Sequence, residues 1–205
     1  AQLYDLIFDG NNKWMLSANG TIFTYEYEAV IPGLLKRWYE ERQDMQRKMR
    51  DCGDNEIERE YWDKRQLVKK INLNSLYGAI LNPGCRFFDM RIGQSVTLTG
   101  RCITKHMASK VNEIVAGQYD HKGESIVYGD TDSVYFSAYK TLKKEINEGL
   151  IPWTKDSVLG LYDKIAEEVN GSFKAFMTRA FHTPSTRGEV IAAGRELIAS
   201  KGLFI

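Results

Sequence analysis

Several kinds of residue and pattern are scarce in this chain of 205 residues. It has three cysteines, Cys52, Cys85 and Cys102, and no C-x-x-C spacing. That argues against a disulfide framework or a zinc site and favours reduced intracellular thiols. The three histidines are scattered and suggest no triad. No apolar run approaches the roughly 18 residues of a membrane span, and no signal peptide opens the chain, so we expect an intracellular protein without a membrane partner.

A large charge of either sign is also missing. The 28 basic and 27 acidic residues leave a net charge of +1. Global charge therefore gives no sign of nucleic-acid binding, and any basic surface has to be local. Hydrophobic residues make up 43% and charged residues 27% of the chain, which is ordinary for a soluble globular protein of one large domain or two small ones.

The most informative segment is YGDTDS at residues 128–133, which lies between two runs rich in β-branched and aromatic residues. This pattern predicts a β-hairpin with Asp130 and Asp132 at its tip. Alternate residues of an extended segment point the same way, so the two carboxylates can converge on one cation, with Mg²⁺ the natural occupant. The alternative is an ordinary Asp-rich turn, and the hairpin alone leaves both open.

Elsewhere the pattern predicts an α+β fold. A charged antiparallel helical hairpin projects from a base of antiparallel sheet and packed helices. We expect short strands within 1–27, including a turn at Asn19-Gly20. Strand is also expected in the tail, at 189–199. The predicted helices cover residues 28–51, 56–81, 94–116 and 156–179.

The second helix of the hairpin carries a further constellation. Lys70, Asn74 and Tyr77 have the spacing i, i+4, i+7 and share one helical face. A lysine can neutralise phosphate, an aromatic ring can stack on a base, and Gly78 permits close approach. Arg42 on the partner helix could face the same cleft and bind a triphosphate. In the alternative interpretation, Lys70 is solvated and Tyr77 packs under the helical hairpin. Arg42 then pairs with Trp38 or forms an exposed salt bridge.

Together these residues resemble family B DNA polymerases, and in particular those of T4-like bacteriophages. Lys70-x-x-x-Asn74-Ser75-x-Tyr77-Gly78 is similar to the fingers motif, and residues 128–133 are similar to the palm metal motif. The segment at 42–49 is similar to the first fingers helix of the phage group, and the segment at 86–91 is similar to the segment that follows the fingers in that group. The resemblance implies an N-terminal palm-edge segment at 1–27, fingers at 28–82 and an incomplete palm with an antiparallel sheet at 83–205.

The resemblance also implies roles for individual residues. Asp130 and Asp132 would be catalytic residues that hold two Mg²⁺ ions, and Mn²⁺ fits the same oxygen ligands. Glu189 is similar to an acidic residue near the metals. The implied nucleotide-binding residues are Arg42, Lys70, Asn74, Ser75 and Tyr77, with Ile71 beside them.

The implied reaction is transfer of a nucleotide from a deoxynucleoside triphosphate (dNTP) to the 3′-hydroxyl of a primer on template DNA. The family's upstream Asp-x-x-Ser-Leu-Tyr-Pro motif is absent from these residues, as are its lysine-rich motif, exonuclease and thumb. Gln46 stands where the phage group usually has a second basic residue, which implies either weaker triphosphate contacts there or contacts supplied by Arg47 or Lys48. We therefore expect the chain to be inactive alone and to need the remaining polymerase segments as partners. If the chain is phage-encoded, its location is the cytoplasm of an infected bacterium.

Two other classes of function remain open. The chain could be a non-catalytic module that binds nucleic acid or nucleotides on a polymerase scaffold. The helical hairpin could instead serve protein assembly, in which case Lys70 would have no part in triphosphate binding.

Overall fold

The computed structural model describes residues 2–8, 13–200 and 202. Its helices and two small two-stranded sheets confirm the predicted α+β class. Among these residues, no helix is both long and apolar enough to cross a membrane. In chain order the elements are α1 (Gln2–Phe8), β1 (Trp14–Leu16), β2 (Ile22–Thr24), α2 (Val30–Asp51), α3 (Glu56–Ile80), α4 (Met90–Ala116), β3 (Ile126–Asp130), β4 (Ser133–Phe136), α5 (Tyr139–Asn147), α6 (Lys155–Phe181) and α7 (Ser185–Gly188).

The chain divides into two compact units. One comprises residues 24–94 and holds the helical hairpin of α2 and α3. The other comprises residues 1–23 and 95–205 and holds the β3–β4 hairpin and α6. The finer division into segments 1–27, 28–82 and 83–205 stays a prediction.

The helical hairpin lies where the sequence predicts it. Asn55 begins α3, because its side-chain oxygen accepts a hydrogen bond of 3.2 Å from the backbone N–H of Glu58. Side chains tie the two helices together in antiparallel register. Lys48 of α2 lies 4.8 Å from the ring centroid of Trp62, and Lys69 of α3 forms a 2.5 Å ion pair with Glu41. The paired positions therefore run in opposite directions along the two helices.

The core of the larger unit depends on one stripe of α6. Ile165, Val169 and Phe173 are spaced four residues apart, so they share one face, and all are buried. They pack with Val111 of α4. Partly buried side chains that complete this core come from the β3–β4 hairpin and the tail, including Ile126, Phe136 and Ile191. The acidic hairpin therefore rests directly on the α4–α6 pair.

A buried amide shapes the loop that leads into β3. Asn112 of α4 is 1% exposed, donates to the carbonyl of Gln118 at 2.8 Å and accepts from the backbone N–H of Ser125 at 3.2 Å. A Cβ atom at Gly123 would lie 2.0 Å from Nδ2 of Asn112. Only glycine fits beside this amide without displacing it, so the loop and α4 are closely coupled.

Both ends of the chain differ from the prediction of strands. In 1–27, β1 and β2 form around the predicted turn, with Gly20 at φ +85°, but Gln2–Phe8 is helical. The tail at 189–199 contains no strand. Instead Asn170 of α6 takes the place of a neighbouring strand. Its amide donates to the carbonyl of Ala193 at 2.9 Å and accepts from the N–H of the same residue at 2.6 Å.

Helix α4 begins at Met90, four residues earlier than predicted, because Asp89 caps it. The Asp89 carboxylate accepts from the backbone N–H of Arg91 at 2.9 Å and from its guanidinium at 2.7 Å. Hydrogen bonding to the Arg91 side chain lowers the pKa of Asp89 to about 2. Helix α5 was not predicted at all, since its nine residues carry only a short apolar pattern.

His106 is a buried histidine between α4 and α6. Its Nε2 lies 2.9 Å from the Ser172 hydroxyl, which donates in turn to the Val169 carbonyl at 2.6 Å. Nε2 therefore carries the proton, and Nδ1 accepts from the Tyr119 hydroxyl at 2.7 Å. The ring stacks on Phe176 with centroids 4.0 Å apart. Burial, assisted by the charge of Lys110 and opposed by that of Glu113, lowers the pKa of His106.

We predict that this site makes stability fall in mild acid. Because the pKa of His106 is lower in the folded chain than the usual value of about 6.5, the unfolded chain takes up the proton first. The stabilisation is complete above about pH 6.5 and is lost as pH falls through the folded pKa. Urea unfolding between pH 7.5 and 5.5 should show a smaller loss for His106→Gln than for the wild type. His121→Gln, which keeps His106, should retain the full loss; equal losses in all three proteins would contradict the prediction.

Candidate functional site

The predicted acidic hairpin is present, and its loop has two residues. Strands β3 and β4 pair antiparallel with Tyr128 opposite Tyr135 and Asp130 opposite Ser133. The loop therefore consists of Thr131 and Asp132 alone. Both predicted carboxylates lie at the tip, where they are exposed to solvent.

Strand alternation, from which the sequence predicts that the two carboxylates converge, does not extend to Asp132. Asp130 ends β3, but Thr131 has φ +42°, in the left-handed region, and Asp132 lies within the loop. Alternation holds only along extended backbone. The geometry of the turn, rather than the period of the strand, fixes where Asp132 lies relative to Asp130.

Hydroxyl groups hold the tip in this conformation. The Thr131 hydroxyl donates to Oδ1 of Asp130 at 3.0 Å, and the Ser133 hydroxyl donates to the Asp130 carbonyl at 3.2 Å. From α4, the Thr104 hydroxyl donates to the Thr131 carbonyl at 2.8 Å. Sequence patterns do not reveal Thr104, because it lies 27 residues from Thr131 and its contact depends on the tertiary packing.

The donor set at the tip fits a divalent cation. No lysine, arginine or histidine within the described ranges forms an ion pair with Asp130 or Asp132, so two negative charges face solvent without a cationic partner. Such a pair favours a bound oxygen-seeking ion. In the described part of the chain, no group of three histidine, cysteine or acidic side chains is placed to hold a metal. Further ligands would therefore come from water, phosphate oxygens or other carboxylates.

Glu189, which the resemblance places near the metals, has a partner of its own. Its carboxylate forms a 2.6 Å ion pair with Lys174 of α6. Both side chains are largely exposed. Its role near a metal stays a prediction.

On α3 the predicted nucleotide-binding residues form an exposed stripe. We define the α3 stripe as Leu67, Lys70, Ile71, Asn74, Ser75 and Gly78. All six are exposed, and their spacing of three and four residues puts them on one helical face. Lys70 forms no ion pair with any described residue. Tyr77 lies at the border of the stripe, half-buried, and its hydroxyl donates to the Gly93 carbonyl at 3.2 Å.

Arg42 is held by α3, one turn away from Lys70. Its Nε donates to Oε1 of Gln66 at 3.1 Å, and Gln66 donates in turn to Asp63 at 3.0 Å. Gln66 precedes Lys70 by four residues, a rise of about 6 Å along the axis. Arg42 therefore bonds to α3 at a position about one helical turn from Lys70.

The ring of Trp38 has a different cationic neighbour. Lys69 lies 5.7 Å from its centroid.

Sequence reasoning missed these supporting residues. The partners of Arg42 and Trp38 depend on the register of the two helices, for which a single helix carries no signal. The proposed substitutes for a basic residue at Gln46 are also engaged: Arg47 and Lys48 both pair with Asp44. Their part in triphosphate binding stays a prediction.

Comparison with known proteins identifies the class of protein. The family model for DNA polymerase family B matches residues 9–174. The chain therefore belongs to DNA polymerase family B.

The DNA-directed DNA polymerase of Escherichia phage RB69 is 40% identical over 80 residues, which cover 38% of this chain and 9% of the phage protein. That of Enterobacteria phage T4 is 40% identical over 82 residues, with the same coverage. These two relatives confirm the predicted resemblance to the T4-like group.

Archaeal proteins match over a longer stretch. The DNA polymerase of Thermococcus sp. (strain 9oN-7) is 32% identical over 191 residues, which cover 91% of this chain and 22% of that protein. The solved family B DNA polymerase of Pyrobaculum calidifontis matches with a TM-score of 0.47 and 26% identity, over 66% of this chain and 17% of that one. The chain thus spans less than a quarter of the length of these relatives.

Substitution of Gly78 should have opposite effects on the stability of α3 and on dNTP binding. A Cβ atom at Gly78 would meet nothing within 4 Å. Gly78→Ala should therefore stabilise α3 by about 0.5–1 kcal/mol, as alanine does in an exposed helix. It should nevertheless weaken dNTP binding, measured by titration of the chain, if a nucleotide lies against the α3 stripe. Gly160→Ala in α6, where a Cβ is equally unhindered, should stabilise the fold and leave binding unchanged. Equal binding by both variants would argue against close approach at Gly78.

Proposed function

We propose that this chain supplies the fingers and the central palm of a DNA-directed DNA polymerase, which extends a primer with dNTPs on a DNA template. The observation that carries the proposal is the exposed pair Asp130 and Asp132. In a chain that belongs to family B, two carboxylates that form no ion pair with any described residue lie on a tip anchored to a helix of the core.

In this proposal the hairpin carboxylates bind metal. Asp130 and Asp132 would hold two Mg²⁺ ions, or Mn²⁺, through oxygen atoms alone. Such ions, when bound, supply activation of the primer 3′-hydroxyl and neutralisation of the leaving pyrophosphate. The Thr131 hydroxyl occupies one oxygen of Asp130 and leaves the other to a ligand. The tip thereby presents oriented negative charge to the reaction.

The helical hairpin binds the nucleotide in the same proposal. Lys70 is exposed, pairs with no carboxylate of the described ranges, and binds triphosphate oxygens as a point charge. Arg42 binds them through the N–H groups that its bond to Gln66 leaves available. Asn74 supports that contact, and the nascent base pair is lined by Ser75 and Tyr77. The hydrogen bond from Tyr77 to Gly93 restricts the ring, which suits a rigid surface for a base.

We further propose that these 205 residues do not complete the reaction by themselves. They contain no Asp-x-x-Ser-Leu-Tyr-Pro motif, and the described residues offer no third carboxylate at the hairpin tip. Partners in the reaction are primer–template DNA, a dNTP and polymerase segments that carry the upstream acidic motif, the exonuclease and the thumb. The phage relatives motivate a location inside an infected bacterium.

Primer extension with a substituted hairpin tests the catalytic proposal. The chain is mixed with a polypeptide carrying the missing segments, and extension of a labelled primer is measured with Mg²⁺. Asp132→Asn should reduce extension to background, because the amide removes a metal-binding charge, while DNA binding is retained. Asp120→Asn, a matched change at an exposed loop aspartate, should leave extension unchanged.

The same assay decides for or against a non-catalytic module. The lack of a third acidic ligand among the described residues favours that alternative. A module that only binds nucleic acid would show DNA binding and no extension in any mixture. Extension that survives Asp132→Asn would instead contradict the assigned role of the hairpin.

Measuring triphosphate affinity distinguishes a helical hairpin that binds nucleotides from one that serves protein assembly. Lys70→Ala should weaken dNTP binding by about tenfold or more, since hydrogen bonds to charged groups contribute about 1.5–3 kcal/mol. The control is Lys64→Ala on the same helix, where the lysine already pairs with Glu60 at 2.6 Å. Calorimetric titration measures both. An assembly arm would show no difference between them.

A further inference from the structure

We propose that Thr104 is a positioning residue that holds the acidic loop in its metal-binding conformation. The inference rests on the proposed function and assigns a part to a side chain of α4 that carries no charge. It starts from the 2.8 Å hydrogen bond from the Thr104 hydroxyl to the Thr131 carbonyl.

The loop needs such an anchor because its backbone is strained. Thr131 is β-branched and has φ +42°, a region that L-residues other than glycine, asparagine and aspartate rarely adopt. Residues held there persist only where surrounding contacts fix them. Within the hairpin, the side chains of Thr131 and Ser133 bond to Asp130. Among the described residues, the hydrogen bond from Thr104 is the side-chain bond that ties the Thr131 peptide to a helix.

The hydroxyl of Thr104 has two acceptors within reach. It lies 2.8 Å from the Thr131 carbonyl and 3.2 Å from the carbonyl of Gly100, four residues earlier in α4. The shorter hydrogen bond, to the Thr131 carbonyl, is the stronger of the two. The Gly100 carbonyl already accepts a backbone hydrogen bond within the helix. The Thr104 hydroxyl therefore bonds more strongly to the loop than to its own helix.

Anchoring the loop also orients the carboxylates. Thr131 connects to Asp130 through its hydroxyl and to Asp132 through the chain, so its peptide orientation sets where both point. Helix α4 is itself fixed by the buried Val111 and His106. Thr104 thus transmits the rigidity of the core to two exposed carboxylates. Residues that orient metal ligands in this way typically change metal affinity by about 10–100-fold when replaced.

The test measures Mn²⁺ affinity of the full 205-residue chain by electron paramagnetic resonance, and exchange of the Asp132 and Ser133 amides by NMR. Thr104→Val removes the hydroxyl at constant shape and should weaken Mn²⁺ binding about tenfold and speed amide exchange. Thr104→Ser keeps the hydroxyl and should restore both. Thr104→Ala replaces the valine variant if the latter does not fold.

Thr178→Val is the matched control. Thr178 is a helical threonine of α6 whose hydroxyl donates to the Thr183 carbonyl at 3.0 Å, beyond the end of its helix. Its hydroxyl bonds to Thr183 and to no described residue of the β3–β4 hairpin, so its loss should leave Mn²⁺ affinity unchanged. A general loss of stability would affect this variant as well.

Two results would overturn the inference, and they are distinguishable. If Asp132→Asn weakens Mn²⁺ binding while Thr104→Val binds as the wild type does, Thr104 has no positioning role and the proposed metal site stands. If Asp132→Asn binds Mn²⁺ as tightly as the wild type, the proposed metal site fails and the inference fails with it.

Discussion

The packing of α6 against α4 is the interaction on which the larger unit depends. Burial of Ile165, Val169 and Phe173 at every fourth position of α6 fixes that helix against Val111. A fully buried side chain of this kind contributes about 1.5–3 kcal/mol, so the stripe is a large share of a marginal total. The β3–β4 hairpin is too short to be stable alone, and it acquires its conformation from this surface.

Side-chain amides and hydroxyls, rather than further strands, complete the larger unit. Asn170 pairs with the backbone of Ala193 by two hydrogen bonds, as a neighbouring strand would. Asn112 likewise hydrogen-bonds to the backbone of the loop before β3, at Gln118 and Ser125. Because Asn112 is buried, these hydrogen bonds are strong and their loss would destabilise the fold. An extended segment therefore keeps its backbone partners without a sheet. At Ala193, within the tail where a strand is expected, both backbone groups are thus satisfied without one.

Sequence reasoning succeeded where the signal is local. The helices α2 and α3 were predicted to within two residues, because charged amphipathic runs and the break around Gly53 are both encoded nearby. The acidic hairpin was predicted from its residue types. The left-handed Thr131, the Gln66 partner of Arg42 and the Thr104 anchor were not, since each depends on residues distant in sequence or on helix register. Helix α1 was missed because seven residues carry too little periodicity.

The residue types of the α3 stripe are not explained by packing within the described part of the fold, and they therefore point to a ligand. Asparagine and glycine in a helix are less stable than alanine, and Asn74 and Gly78 are both exposed. No described atom outside its own stretch of helix lies within 4 Å of a Cβ at Gly78, so no described neighbour requires glycine there. Lys69, one residue before Lys70, pairs with Glu41 across the hairpin, whereas Lys70 forms an ion pair with no described residue. We propose that a ligand accounts for these residue types, because a cation beside polar and small groups suits a nucleotide.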